Sequence, residues 1–149
     1  MRTHKALLLM LLLTACIPAA SAAPCGTPDT PGALECYRME IRAFLQSWVN
    51  AWGKGDYDAY VLHYENVTSP RFGQSRQQWE SDRRARLESS GDIEVSLELE
   101  SMGIDDDGSL DVIFVQSYES SVYRDVVRKQ LFLKRSPDGL RIQKEATIE

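Results

Sequence analysis

The chain has 149 residues, of which 26% are charged and 43% hydrophobic, and its formal net charge is −5 at pH 7. This length suits one domain with a hydrophobic core of its own. An acidic chain does not attract nucleic acid or anionic lipid through its overall field, so function classes that depend on a basic surface are excluded.

The first residues have the pattern of an export signal. Arg2 and Lys5 form a short basic head, and residues 6–13 are an unbroken apolar run. Pro18 and Ser21 follow too soon for a membrane span, which needs about 20 apolar residues. We therefore expect residues 1–22 to be a cleaved signal peptide. Removing Arg2 and Lys5 from the 17 basic residues leaves 15 against 22 acidic residues, a net charge of −7.

Two cleavage positions fit this signal. Small residues at 20–22 favour cleavage before Ala23, whereas residues 13–16 resemble a bacterial lipobox, in which 1–15 are removed and Cys16 is lipidated. Residues 23–35, rich in Pro, Gly and Ala, would then be an arm or tether ahead of a domain at 36–149. Both alternatives predict an exported protein: a periplasmic or outer-membrane lipoprotein, or a secreted one. Membrane attachment would depend on the lipid on Cys16.

Two cysteines remain after either cleavage. Cys25 and Cys36 would meet an oxidising compartment, so we expect a disulfide that staples the arm. No Cys-x-x-Cys pattern occurs, and His4 and His63 are the sole histidines. We therefore expect no metal site and no cofactor.

Helical patterns fill the first half of the domain. Apolar residues recur at helical spacing from Glu35 to Trp52. Asp56 is a suitable N-cap for a second, short helix. Ser75 and Gln78 form a capping box that opens a third helix, which ends near Gly91.

After Gly91 the spacing of apolar residues changes from the helical period of about 3.6 residues to a period of 2, which is typical of strands with one solvent-exposed face. Turn sequences at 105–108 and 136–139 separate the later runs. The pattern predicts four strands. The first begins at Ile93, and the other three span residues 109–119, 122–134 and 140–145. Three helices followed by an antiparallel meander are an α+β fold.

Several stretches resemble the nuclear transport factor 2-like (SnoaL-like) superfamily over about residues 38–146. The resemblance is strongest to the small domain at the C-terminus of some bacterial L,D-transpeptidases and in stand-alone exported proteins. The matching stretches are residues 48–52 with 56–60, 75–79 running into 83–87, and 123–125 followed by 128, 129 and 131. The resemblance implies a cone, in which a curved sheet of about four strands wraps three helices around a pocket. It also implies frequent dimerisation through the sheet, but no particular activity.

The two long strands predict one wall of such a pocket. A turn at Ser120-Ser121 would pair Tyr118 with Tyr123 and Gln116 with Asp125. That face is apolar at its far end and polar-aromatic near the turn. With aromatic residues of the helices, the predicted pocket-binding residues are Trp52, Tyr64, Trp79, Gln116, Tyr118, Tyr123, Asp125 and Lys129.

Asp125 is the candidate catalytic base, and Tyr118 or Tyr123 the candidate hydrogen-bond donor. Lys129 lies about 13 Å from Asp125 along an extended strand, so the two are not a coupled pair. The alternative is structural, with Asp125 hydrogen-bonded near the turn and Lys129 reaching the rim. We interpret Arg83, with its basic neighbours in the third helix, as part of a salt-bridged surface.

The opposite face of the two strands has an apolar centre inside a polar rim. Such a patch is typical of an interface, and we expect a homodimer through Ile113, Val115, Val126 and Arg128. Cover by the N-terminal arm or by the last strand is the alternative.

The sequence favours a non-catalytic exported domain that dimerises and binds a small apolar ligand or a cell-envelope protein. The alternative is an isomerase- or dehydratase-type enzyme with Asp125 as base. That chemistry needs the carboxylate and a neutral donor within about 3 Å of the substrate, both out of water.

Overall fold

A computed structural model describes residues 25–27, 29–66 and 73–149. Three helices lead into a single antiparallel sheet with strand order β1-β2-β3-β4. The elements are α1 (Ala33–Gly53), α2 (Tyr57–Val61), α3 (Arg76–Ser89), β1 (Ile93–Ile104), β2 (Leu110–Ser120), β3 (Arg124–Ser136) and β4 (Gly139–Ile148). This architecture confirms the predicted α+β fold. The expected signal peptide and Cys16 lie outside the described residues.

Local side-chain chemistry starts the second and third helices as predicted. The Asp56 carboxylate accepts a hydrogen bond from the Ala59 N–H at 3.0 Å and caps α2. Ser75 and Gln78 exchange the two hydrogen bonds of a capping box at the start of α3. These caps satisfy N–H groups that have no partner inside a helix.

The core lies between α1 and the inner face of the sheet. Ile41, Leu45 and Trp48 recur along one side of α1 and are buried. The Trp48 ring is 6.2 Å from that of Phe114, a buried residue of the inner face of β2. Burial of this apolar surface is the main source of stability for the layered arrangement.

The pairing of β2 with β3 differs from the predicted register. Tyr118 lies opposite Asp125, and Gln116 opposite Val127. The predicted turn is wrong by one residue, because the Ser120 N–H donates to the Tyr123 carbonyl at 2.8 Å and the chain reverses at the two residues between them. Each partner therefore moves by two positions. A shift of two keeps every side chain on its predicted face.

Irregularities in the two edge strands shape the sheet. The β1–β2 register shifts between Leu99 and Ser101, and the β3–β4 register shifts between Phe132 and Leu133. An extra residue bends a strand and increases its twist, so the sheet curves around the helices.

The N-terminal arm is fastened to α1, and α1 is fastened to the end of the sheet that lies away from the β2–β3 turn. Cys25 and Cys36 form a disulfide, as expected. The Arg135 guanidinium donates to both carboxylate oxygens of Glu40 in α1, at 2.6 and 2.8 Å. Because Arg135 is near the end of β3, this contact joins the start of α1 to the β3–β4 hairpin.

None of the helices in the described residues is long and apolar enough to cross a membrane.

Candidate ligand-binding site

A cavity of about 690 Å³ lies between α1, α3 and the inner face of the sheet. The last turn of α1 contributes Trp52 to its wall, and α3 contributes Trp79 and Arg83. Tyr123 lies beside the β2–β3 turn at the open end, whereas Glu145 of β4 lies on the floor. The cavity therefore opens at the end of the domain away from the disulfide.

Aromatic rings form much of the wall. Trp52 and Trp79 are both buried. The ring of Tyr118 is 5.6 Å from that of Trp52, and the ring of Tyr123 is 6.0 Å from that of Tyr118. These contacts continue an aromatic surface from the core to the mouth of the cavity.

A charged cluster occupies the floor. The Lys129 ammonium donates to Glu145 Oε1, and the Tyr64 hydroxyl donates to Glu145 Oε2 at 3.0 Å. The Arg83 guanidinium lies 3.8 Å from the same Oε2. The Glu145 side chain is only 11% exposed. Both of its oxygens are therefore occupied by groups of the protein.

The cluster keeps Glu145 ionised. Burial alone would raise the pKa of Glu145, but the charges of Lys129 and Arg83 and the hydrogen bonds lower it from 4.5 to about 2. Burial raises the pKa of Tyr64 well above its usual value of 10. Tyr64 is consequently a neutral donor at physiological pH and Glu145 an anion.

A second tyrosine supports this donor. The hydroxyls of Tyr60 and Tyr64 are 2.6 Å apart, and both residues are buried. Burial raises the pKa of Tyr60 to about 12. The two hydroxyls form a chain from α2 to the carboxylate of Glu145, so the cluster joins α2, α3, β3 and β4.

Asp125 and Tyr123 lie together at the mouth. A hydrogen bond between the two side chains raises the pKa of the Tyr123 hydroxyl. Asp125 is half-buried and Tyr123 is 57% exposed. The candidate base, Asp125, and the candidate donor Tyr123 therefore contact each other at the solvent-exposed end of the cavity.

Gln116 is the buried polar residue of the wall. It is 4% exposed, and its Oε1 has no hydrogen-bond partner among the described residues. An unpaired buried amide oxygen costs free energy.

The structure brings most of the predicted pocket residues to one cavity. Tyr64 does not line it but lies behind the floor and contacts Glu145. The residues that line the cavity as predicted are Trp52, Trp79, Gln116, Tyr118, Tyr123, Asp125 and Lys129. The alternative placement of Lys129 at the rim is wrong, because its ammonium pairs with Glu145 inside the cavity.

The sequence interpretation does not identify two residues of the charged cluster, Arg83 and Glu145. The charge pattern of α3 predicts a surface position for Arg83, yet Arg83 follows Trp79 by four residues and precedes Leu87 by four, so all three share one face of α3. That spacing is a readable signal. Glu145 is harder to find, because the bulge near Phe132 turns Glu145 rather than Lys144 towards the cavity.

Residues 40–146 match the family described as the Cds6 C-terminal NTF2-like domain. No curated protein matches the sequence.

Solved structures share the fold. Bd1075 of Bdellovibrio bacteriovorus is 24% identical with a TM-score of 0.69, and the match covers 79% of this chain and 42% of Bd1075. The helical cell shape determining protein Pgp2 of Campylobacter jejuni is 18% identical with a TM-score of 0.64, over 71% of this chain and 39% of Pgp2. An NTF2-like protein of unknown function from Shewanella oneidensis MR-1 is 17% identical with a TM-score of 0.60, over 76% of this chain and 99% of that protein. The chain spans about two fifths of the length of the first two proteins, and these identities show the fold alone.

Replacing Glu145 tests the charged floor. The pKa of Glu145 is lower in the folded chain (about 2) than its ordinary value of 4.5, so the unfolded chain binds more protons between these pH values. The ionised carboxylate therefore adds roughly 3 kcal/mol to the free energy of unfolding above pH 4.5. This contribution is lost as the pH falls towards 2. We expect Glu145→Gln to lower the free energy of unfolding by about 3 kcal/mol at pH 7 and to weaken its acid dependence, measured by urea denaturation from pH 2 to 7.

Glu88→Gln is the matched control. Glu88 pairs with Arg84 at 3.9 Å, and its side chain is 64% exposed. Such a surface pair contributes less than about 0.5 kcal/mol. Equal losses in the two variants would contradict the account of the buried floor.

Proposed function

Because the chain belongs to the Cds6 C-terminal NTF2-like domain family, we propose that it is an exported, non-catalytic binding domain. Its cavity holds a small ligand with an apolar body, and the outer face of its sheet joins two copies. The domain acts in the cell envelope.

The observation that carries this proposal is the state of the buried carboxylate. A general base works best when its pKa lies near the operating pH. The pKa of Glu145 is about 2, and both of its oxygens already accept hydrogen bonds. Glu145 thus serves as a counter-ion that shapes the cavity, which favours binding over proton transfer.

The placement of Asp125 also favours binding. An enzyme that used Asp125 as base would hold this carboxylate and its donor away from water. Tyr123, its partner at the mouth, is 57% exposed. Half-buried Tyr118 lies deeper and offers aromatic contact area for an apolar ligand, in contact with the buried ring of Trp52.

The proposed location rests on two observations. The disulfide between Cys25 and Cys36 suits an oxidising compartment rather than a reducing cytosol. One structural relative is a cell shape determining protein, which favours a role in the cell envelope for the ligand or partner of this domain.

The outer face of the sheet supports the proposed dimer. Val126 is 63% exposed there, beside half-buried Ile113 and Val115. Acidic residues flank this apolar centre on β1, and basic residues flank it on β3 and β4. Arg128 pairs with Glu100 and Arg124 with Glu119 inside one copy, whereas Glu94, Glu98 and Lys144 form no ion pair among the described residues. A second copy turned about an axis along the strands would place each acidic flank over a basic one.

Filling the cavity tests the binding function. We expect the neutral dye N-phenyl-1-naphthylamine to bind saturably and to gain fluorescence in the aromatic cavity. Val127→Trp places an indole among the residues that line the cavity and should weaken dye binding at least tenfold. Leu62→Trp changes an exposed residue that does not line the cavity and should leave binding unchanged. Absence of saturable binding, or equal binding by both variants, would contradict the proposal.

The dimer is tested separately by light scattering after size exclusion. Val126→Asp puts a charge in the apolar centre of the outer face, so we expect a dimeric parent and a monomeric variant. Leu62→Asp is the matched control, since Leu62 is 65% exposed on the helical side, and it should remain dimeric. A monomeric parent, or a dimeric Val126→Asp variant, rules out the interface.

A further inference from the structure

We propose that the ligand of this cavity carries a carboxylate that binds to Arg83, while its flat apolar body lies against the aromatic wall at Tyr118. This inference rests on the proposed binding function and names the chemical class of the ligand.

Arg83 has donors to spare. Its guanidinium carries five N–H groups. Its nearest acidic partner is Glu145, in an ion pair at 3.8 Å that is longer than a hydrogen bond. Among the described residues, none accepts a hydrogen bond from this guanidinium. Because Arg83 lines the cavity, these donors are available to a ligand.

The surroundings of Arg83 hold the guanidinium in place without satisfying it. Its side chain is 15% exposed. The guanidinium carbon lies 5.9 Å from the ring centre of Trp52 and 5.6 Å from those of Tyr60 and Trp79. Rings attract the cation but accept few of its hydrogen bonds. A planar pair of oxygens fits the guanidinium fork, and a carboxylate has that geometry.

The charge of the cavity points to a single negative charge on the ligand. Three cations line it, Arg83, Arg86 and Lys129, together with two carboxylates, Asp125 and Glu145. One net positive charge remains, and Lys129 is already paired with Glu145. A monoanion would neutralise this charge, whereas Asp125 at the mouth disfavours a more highly charged ligand.

The rest of the site suits a flat body with one polar group. Half-buried Tyr118 lines the cavity, and its ring is 5.6 Å from that of Trp52, whose ring centre lies 5.9 Å from the Arg83 guanidinium carbon. Gln116 lines the same cavity with an amide oxygen that has no partner among the described residues. A ligand N–H or O–H could pair with this amide once it turns towards the cavity.

Isothermal titration calorimetry with two probes of the same shape tests the inference. 1-Naphthylacetate carries the carboxylate, and 1-naphthylacetamide replaces it with a neutral amide. We expect the parent protein to bind the acid at least tenfold more tightly than the amide. Arg83→Lys keeps the charge but removes the planar fork of the guanidinium. Its affinity for the acid should therefore fall at least tenfold, and its affinity for the amide should change little.

Arg84→Lys is the control, because the adjacent Arg84 is half-exposed and does not line the cavity. It should bind both probes like the parent. Circular dichroism establishes that each variant is folded. If Arg83→Lys does not fold, the ratio of acid to amide in the parent decides the question.

The outcomes separate this inference from the proposed function. Equal binding of acid and amide, or tighter binding of 1-naphthyl phosphate than of the acid, overturns the carboxylate assignment and leaves the binding function standing. The carboxylate assignment also fails, and the binding function again stands, if the neutral dye binds and the acid does not. If neither the dye nor the naphthyl probes bind, the proposed function itself fails.

Discussion

The fold depends on neutralising one carboxylate that lies out of water. Glu145 is held by Lys129 of the neighbouring strand, by the Tyr64 hydroxyl and by the charge of Arg83. A buried carboxylate without such partners would carry a large desolvation cost. Because its partners come from β3, from the segment after α2 and from α3, the cluster also fixes how α3 sits over the sheet.

The pairing of Glu145 determines the chemistry of the cavity. The walls are aromatic, and the floor is charged but internally paired. A site in which the buried acid is already paired is poorly suited to proton transfer and well suited to holding a ligand. Arg83 adds specificity, since its charge acts on Glu145 across 3.8 Å while its hydrogen-bond donors stay available.

Local chemistry makes the order of elements readable from the sequence. Asp56 and Ser75 cap helices as their positions predict, and strand alternation places Gln116, Tyr118 and Asp125 on the inner face. The register is less accessible, because Ser120 and Tyr123 pair across the turn and the choice of turn residues decides every partner. Because each partner is displaced by two residues, an even number, every side chain stays on its predicted face of the sheet.

Other parts of the site depend on tertiary structure. A bulge in β4 reverses the alternation between Ile142 and Glu145, and no pattern in the strand indicates it. Arg83 is readable from its four-residue spacing to Trp79, but a cation on an inward face is usually discounted unless its buried partner is known. The spacing of Arg83 indicates its face of α3, but its burial is expected only once Glu145 is known, because each residue makes the burial of the other tolerable.

The most direct test of this account is the titration of Glu145 itself, followed by the carbon-13 chemical shift of its side-chain carboxyl group from pH 8 down to about pH 1. We predict a constant shift down to about pH 4 and a midpoint near 2, which matches a pKa lowered by Lys129 and Arg83. A midpoint above 4.5 would show that burial outweighs the two cations. Glu145 would then be a protonatable acid, and the cavity would have to be reconsidered as a catalytic site.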